Sequence, residues 1–154
     1  MRACSTRREM HMGAKTSNLA GTWKLVSLEL EAQQSGSREP MWGDVAPRGS
    51  LILTAEGRML ALLTGGSREP GTSDDKQAAL FRTMLAYGGA YRVEGDKFVT
   101  RVDVSWNEAW NGTDQVRYFK LSDNRLEIVT EWVPSPMHAD QRIVRGILSW
   151  TRGL

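Results

Sequence analysis

One cysteine occurs among the 154 residues, Cys4, so neither an intrachain disulfide nor a thiolate metal cluster can form. Histidine is nearly as scarce. His11 and His138 share no strand or helix turn, which argues against a histidine metal site, a haem or a nucleophilic triad, and no cofactor is expected. No apolar run reaches the length needed to span a membrane. Gly65-Gly66-Ser67 lacks the lysine that would make it a phosphate loop. Excess charge of one sign is also missing: the net is +2, and residues 1–17 alone carry +3, leaving 16 basic against 17 acidic residues beyond them. The basicity belongs to the terminus, so neither nucleic acid nor a membrane is expected as a partner.

What remains is an ordinary globular composition, 40% hydrophobic and 25% charged. A chain of this length forms one domain that buries about two-thirds of its unfolded surface. Residues 1–17 (MRACSTRREMHMGAKTS) are expected to be a disordered or expression-derived tail, or the remnant of an alternative start at Met10-His11-Met12-Gly13. They lack the apolar centre of a secretory signal, so a cytoplasmic location is expected. Asn111-Gly112-Thr113 reads as turn chemistry rather than a glycosylation acceptor.

The domain, residues 18–154, is mostly extended. A first run leads from Gly21 to about Glu31, with Trp23, Leu25, Ser27 and Glu29 on one side by simple alternation. Ser50–Thr54 and Arg58–Leu63 follow as a hairpin. Later strands are predicted at Tyr87–Val93, Lys97–Ser105, Gln115–Leu121, Arg125–Trp132 and Arg142–Thr151. Asp74–Ala86 has the one helical spacing of apolar residues, with Thr72, Ser73 or Asp74 as cap and Gly88-Gly89 as stop. Residues 32–49, 64–73 and 133–141 read as long loops, the first two repeating the pentapeptide GSREP. Short strands at regular spacing with one helix imply an all-β, antiparallel eight-stranded barrel, the helix inserted after the third strand. Such a barrel either packs solid or encloses one small ligand.

The candidate chemistry sits on the hairpin around residues 102–121. Arg101, Asp103 and Ser105 share one face of its first strand, and Gln115 and Arg117 share one face of its second. Arg117 suits a ligand carboxylate or enolate, or an ion pair with Asp103 across the hairpin. Asp103 is the general-base candidate, since an apolar interior would raise its pKa while neighbouring arginines would lower it. Glu29 is either a second acid or a rim glutamate. Among six tryptophans, Trp23 and Trp150 read as core plugs, whereas Trp106 and Trp110 suit a pocket for a planar ligand. Tyr87 and Tyr91 could add phenol donors. Loops 32–49 and 64–73 form a lid or stand as separate solvated loops; at one barrel end, Arg38 and Arg68 would make the entrance positive.

Four segments together resemble the bacterial and fungal lipocalin-like domain proteins. They are Gly21-Thr22-Trp23-Lys24-Leu25-Val26-Ser27, Arg48–Thr54 through Gly57-Arg58-Met59, Ala86–Tyr91, and Val102–Ser105 through Trp110–Arg117. The resemblance covers about residues 18–152 and implies an up-and-down eight-stranded barrel, closed at one end by the first-strand tryptophan and open at the other. That family often carries histidine just before the position of Val102, where this chain has Thr100-Arg101.

The function expected is binding of a small hydrophobic or aromatic, partly polar metabolite. Trp106, Trp110, Tyr91, Tyr87 and Met59 would be walls, Arg117, Gln115 and Asp103 the anchor, and Glu29 and Arg101 further contacts. The alternative is a cofactor-independent isomerase, cyclase or hydratase of secondary metabolism, in which Asp103 moves a proton and Arg117 stabilises negative charge. A third reading is a solid-packed interaction module. Monomer and homodimer are both compatible with the sequence.

Overall fold

The computed structural model describes residues 18–153, so the expectations placed on residues 1–17, Cys4 and His11 among them, lie outside the described part. Period-two patterning produces the strands. In Arg58–Thr64, Met59, Ala61 and Leu63 are buried while Arg58, Leu60 and Leu62 are exposed.

The strands in chain order are β1 (Gly21–Ala32), β2 (Arg38–Pro40), β3 (Arg48–Leu53), β4 (Arg58–Thr64), β5 (Met84–Glu94), β6 (Lys97–Ser105), β7 (Asp114–Ser122), β8 (Arg125–Thr130), β9 (Val133–Pro134) and β10 (Ile143–Arg152). They form one antiparallel sheet in the order β2-β1-β3-β4-β5-β6-β7-β8-β10-β9, closed by pairing of β1 with β10. Eight long strands make a closed barrel. The helix α1 (Asp74–Arg82) stands after β4, the third long strand.

The two short strands correct the expectation of structureless loops at 32–49 and 133–141. Along β1, β3 pairs only with Gly21–Lys24, and β2 takes its place beside Glu29–Glu31. On the other flank β8 pairs with Ile147–Thr151 and β9 with Ile143 and Val144. Past the barrel rim the sheet therefore continues as a four-stranded tongue, β2-β1-β10-β9.

Helix α1 begins as expected, with the Ser73 hydroxyl accepting from the Lys76 amide and Asp74 and Asp75 in the first turn. It stops at Arg82 rather than Ala86. Met84, Leu85 and Ala86 pair instead with Thr64, Leu63 and Leu62 of β4, and cross-strand partners outweigh the helical pattern there. None of its residues is buried; Phe81, about half exposed, tilts against Trp106 with ring centroids 6.4 Å apart.

Two β-bulges break the simple alternation. In β1 the register slips between Leu25 and Ser27, so Val26 bulges outward, and beyond it Leu28 and Leu30 face inward while Ser27 and Glu29 turn out. In β6, Gly88 pairs with Val104 but Gly89 with Val102, which leaves Asp103 as the extra residue. Gly89 permits this. A Cβ there would lie 1.9 Å from the Arg101 carbonyl oxygen and 3.1 Å from the Val102 Cα.

The end of the barrel near the β1 start is sealed by Trp23, which has no exposed surface and donates from its indole to the Leu19 carbonyl at 3.0 Å. Arg152 lies over the Trp23 ring at 4.2 Å and donates to the carbonyls of Ala20 and Asn18. Removing that guanidinium with Arg152→Ala is expected to lower stability by about 1 kcal/mol, read as a reduced denaturant midpoint at unchanged m-value.

Candidate functional site

Opposite the Trp23 plug, the barrel opens into a cavity of about 360 Å3. Leu28, Leu51, Met59, Ala61 and Ile128 line its apolar walls, and Met41, Pro136 and Val133 border it from the tongue and its flanking loops. That volume lies within the range of small-molecule sites. A larger hollow of about 800 Å3 lies on the outer wall, but there Arg38, Lys120 and Arg145 alternate with Asp96, Glu127 and Glu131, so no single charge dominates it.

Arg117 is the charged group inside. The inward face of β7 carries Gln115, Arg117 and Phe119, and Arg117 is only 9% exposed. Its guanidinium lies 5.6 Å from the Tyr87 ring centroid and 5.8 Å from that of Trp110, and it donates to the Val116 carbonyl at 2.8 Å and to Gln115 Oε1 at 3.3 Å. Gln115 donates in turn to Thr113 Oγ1, which donates to the Trp110 carbonyl. A relay from the β6–β7 connection thus fixes the head of the arginine. Of five guanidinium donors, two are used, and no described carboxylate pairs with it. The Arg117–Asp103 ion pair considered from the sequence does not form.

Asp103 is on the outer wall. It shares the exposed face of Arg101, opposite the buried Phe98, Thr100 and Val102, and is bound side-on by Arg58, whose Nη2 donates to Oδ1 at 2.7 Å and whose Nη1 donates to Oδ2. Arg58 holds its carboxyl below the usual carboxylate range, the opposite of the shift expected of a base in an apolar cavity. Asp103→Asn is accordingly expected to leave ligand affinity within about twofold of the parent, since an exposed pair outside the cavity contributes little. Titration calorimetry with an aromatic carboxylate checks this.

The other expected site residues divide in the same way. Tyr87, Met59, Trp110, Gln115 and Arg117 line the cavity. Arg101 faces outward and pairs with Asp114 at 3.4 Å. Glu29 faces outward because of the β1 bulge, opposite Ile147. Trp106 stands behind Trp110, edge to face at 5.0 Å, and does not line the cavity. Tyr91 points inward at the sealed end, where its hydroxyl donates to the Thr54 carbonyl and burial pushes its phenol pKa up.

Loops 32–49 and 64–73 meet at the open end, where Trp42 packs on Gly65 and Val45 on Gly66. Of the two arginines expected at the entrance, Arg38 meets an acid and Arg68 meets neutral acceptors. Arg38 pairs with Glu31 at 3.7 Å, and Arg68 donates to the Leu80 carbonyl and Thr83 Oγ1 at the end of α1.

One constellation was not read from the sequence. His138 Nδ1 lies 2.7 Å from Ser135 Oγ, and its Nε2 lies 2.7 Å from Glu39 Oε1. The Ser135-x-x-His138 spacing is a local signal, but Glu39 arrives from β2 through the fold. Among the described residues no group of three histidine, cysteine or acidic side chains could hold a metal ion. No described helix is long and apolar enough to cross a membrane.

None of the curated proteins compared with the chain matches it. The family model of the lipocalin-like domain matches residues 20–153, from just before β1 to just after β10. With its eight-stranded closed barrel, sealed at Trp23 and open at the far end, the chain belongs to the lipocalin-like domain family.

Proposed function

We propose that the barrel binds a small, mostly apolar molecule, aromatic in at least one part, through a carboxylate or similar oxyanion held by Arg117. The observation that carries this reading is a buried guanidinium in an apolar cavity, without a described carboxylate partner and held in place by Gln115. An unpaired buried charge is costly, and an anionic ligand is the group that offsets it. The planar fork suits a carboxylate, and the adjacent Tyr87 and Trp110 rings suit a flat apolar body.

The enzymatic alternative loses its intended base, because Asp103 is outside. The carboxylates that touch the cavity, Asp114 and Glu131, are both exposed. Binding is therefore the better-supported reading. Its test compares 2-naphthoate with 2-naphthamide by titration calorimetry. The carboxylate is expected to bind at least about tenfold more tightly, as a charge-assisted hydrogen bond to a buried arginine requires. Equal affinities, or binding of neither, would remove the anionic anchor from the proposal.

A further inference from the structure

We infer that His138 is the clasp of a hood over the cavity, and that this clasp sets the rate at which ligand enters and leaves; the inference rests on the cavity being the binding site. The hood is the tongue β2-β1-β10-β9. In an antiparallel pair, directly opposed residues share a face. Glu39 of β2 is opposite Leu30, and Val133 of β9 is opposite Val144, and both of those partners are buried inward-facing residues that line the cavity. The two outer strands therefore continue the inner wall, one on each flank of the β1–β10 pair.

Glu39 and His138 join the two flanks. Glu39 belongs to one edge strand, and His138 to the connection just after the other, so the 2.7 Å contact ties edge to edge across the tongue. Such a tie curls the sheet over the opening. The segments it tethers border the cavity: Met41 follows Glu39 by two residues, and Pro136 precedes His138 by two.

Ser135 sets the ring for this task. Its hydroxyl oxygen accepts from the Met137 amide at 3.1 Å and lies 2.7 Å from His138 Nδ1, while the Glu39 carboxylate, which can only accept, takes a hydrogen bond from Nε2. The nearby Asp140 and Arg142 pair at 3.0 Å, with Arg142 also in the field of Glu39 and Asp140 in that of His138, so the clasp sits in a cluster of two acids and two bases. Ser135 itself is 3% exposed and does not line the cavity, so the row is built to hold rather than to attack a substrate.

Hydrogen exchange on the ligand-free protein tests the clasp directly. Two amides report on the hood: Met41 N–H, bonded to the Leu28 carbonyl, and Ser135 N–H, bonded to the Arg142 carbonyl. Glu39→Ala and His138→Gln are each expected to raise exchange at both amides by about tenfold, the cost of one hydrogen bond to a charged group. The double variant should go no further than either single one. Stopped-flow mixing with 2-naphthoate should then show association and dissociation accelerated together with the affinity nearly kept, as removal of a gate requires. Unchanged amide exchange in both variants would overturn the clasp, even if naphthoate binding still depends on Arg117. Faster amide exchange with unaltered naphthoate rates would overturn its role in ligand passage. Failure of naphthoate to bind the parent protein would count against the anionic-ligand reading instead, with the amide result still deciding the clasp.

Discussion

Arg117→Met is expected to weaken binding of an aromatic carboxylate by about two orders of magnitude, because truncating a buried charge partner removes a charge-assisted bond that nothing else in the cavity replaces. The neutral amide should lose far less. The same substitution should leave thermal stability unchanged or raise it, since it exchanges an unpaired buried guanidinium for an apolar chain of similar length among Tyr87, Trp110 and Gln115. Affinity falling while melting temperature holds is the signature of a group kept for binding. A parallel fall in both would assign Arg117 to holding the barrel together. Titration calorimetry and a melting curve on one preparation distinguish the two.

Gly89→Ala carries the largest expected effect on stability. A single methyl group would sit 1.9 Å from the Arg101 carbonyl oxygen, which belongs to the backbone and cannot swing aside. Relief requires β5 and β6 to part at the bulge, and the cost should be at least about 3 kcal/mol, in the upper tail of single substitutions. Ala90→Val is the control, next in sequence but exposed on the outer wall, and should stay within about 0.5 kcal/mol of the parent. Urea unfolding followed by tryptophan fluorescence measures both. A loss confined to Gly89→Ala shows that close approach of the strands, not strand propensity, determines the residue.

That glycine also explains where sequence reading stopped. Alternation located the eight long strands and the inward row of Gln115 and Arg117, because β7 runs without interruption. It failed at Glu29 and Ser105 for one shared reason: a bulge inserts a single residue and reverses the faces beyond it, and neither Val26 nor Asp103 differs in type from a regular strand residue. Asp103 keeps the face of Arg101, but that face is the outer one, because Phe98, Thr100 and Val102 turn inward. Gly88-Gly89 was visible, but it read as a helix stop rather than as the close approach that lets β6 bulge. Helix α1 was legible at its Ser73 cap and misread at its end, where pairing of Met84–Ala86 with β4 decides the backbone. His138 looked solitary because its acidic partner is remote in sequence and reaches it only through the β2–β1–β10–β9 arrangement.

The seam of the barrel is its first strand against its last, nine residue pairs running from Trp23–Arg152 to Ala32–Val144. During synthesis, therefore, all of the other long strands emerge before the circle can close. Until β10 is made, β1 and β8 are open edges, and the arginine that covers Trp23 does not yet exist. Pairing between such distant segments is slow and exposes strands to neighbouring chains in the interval. Truncation just before Ile143 should consequently give an aggregating chain rather than a weakened barrel.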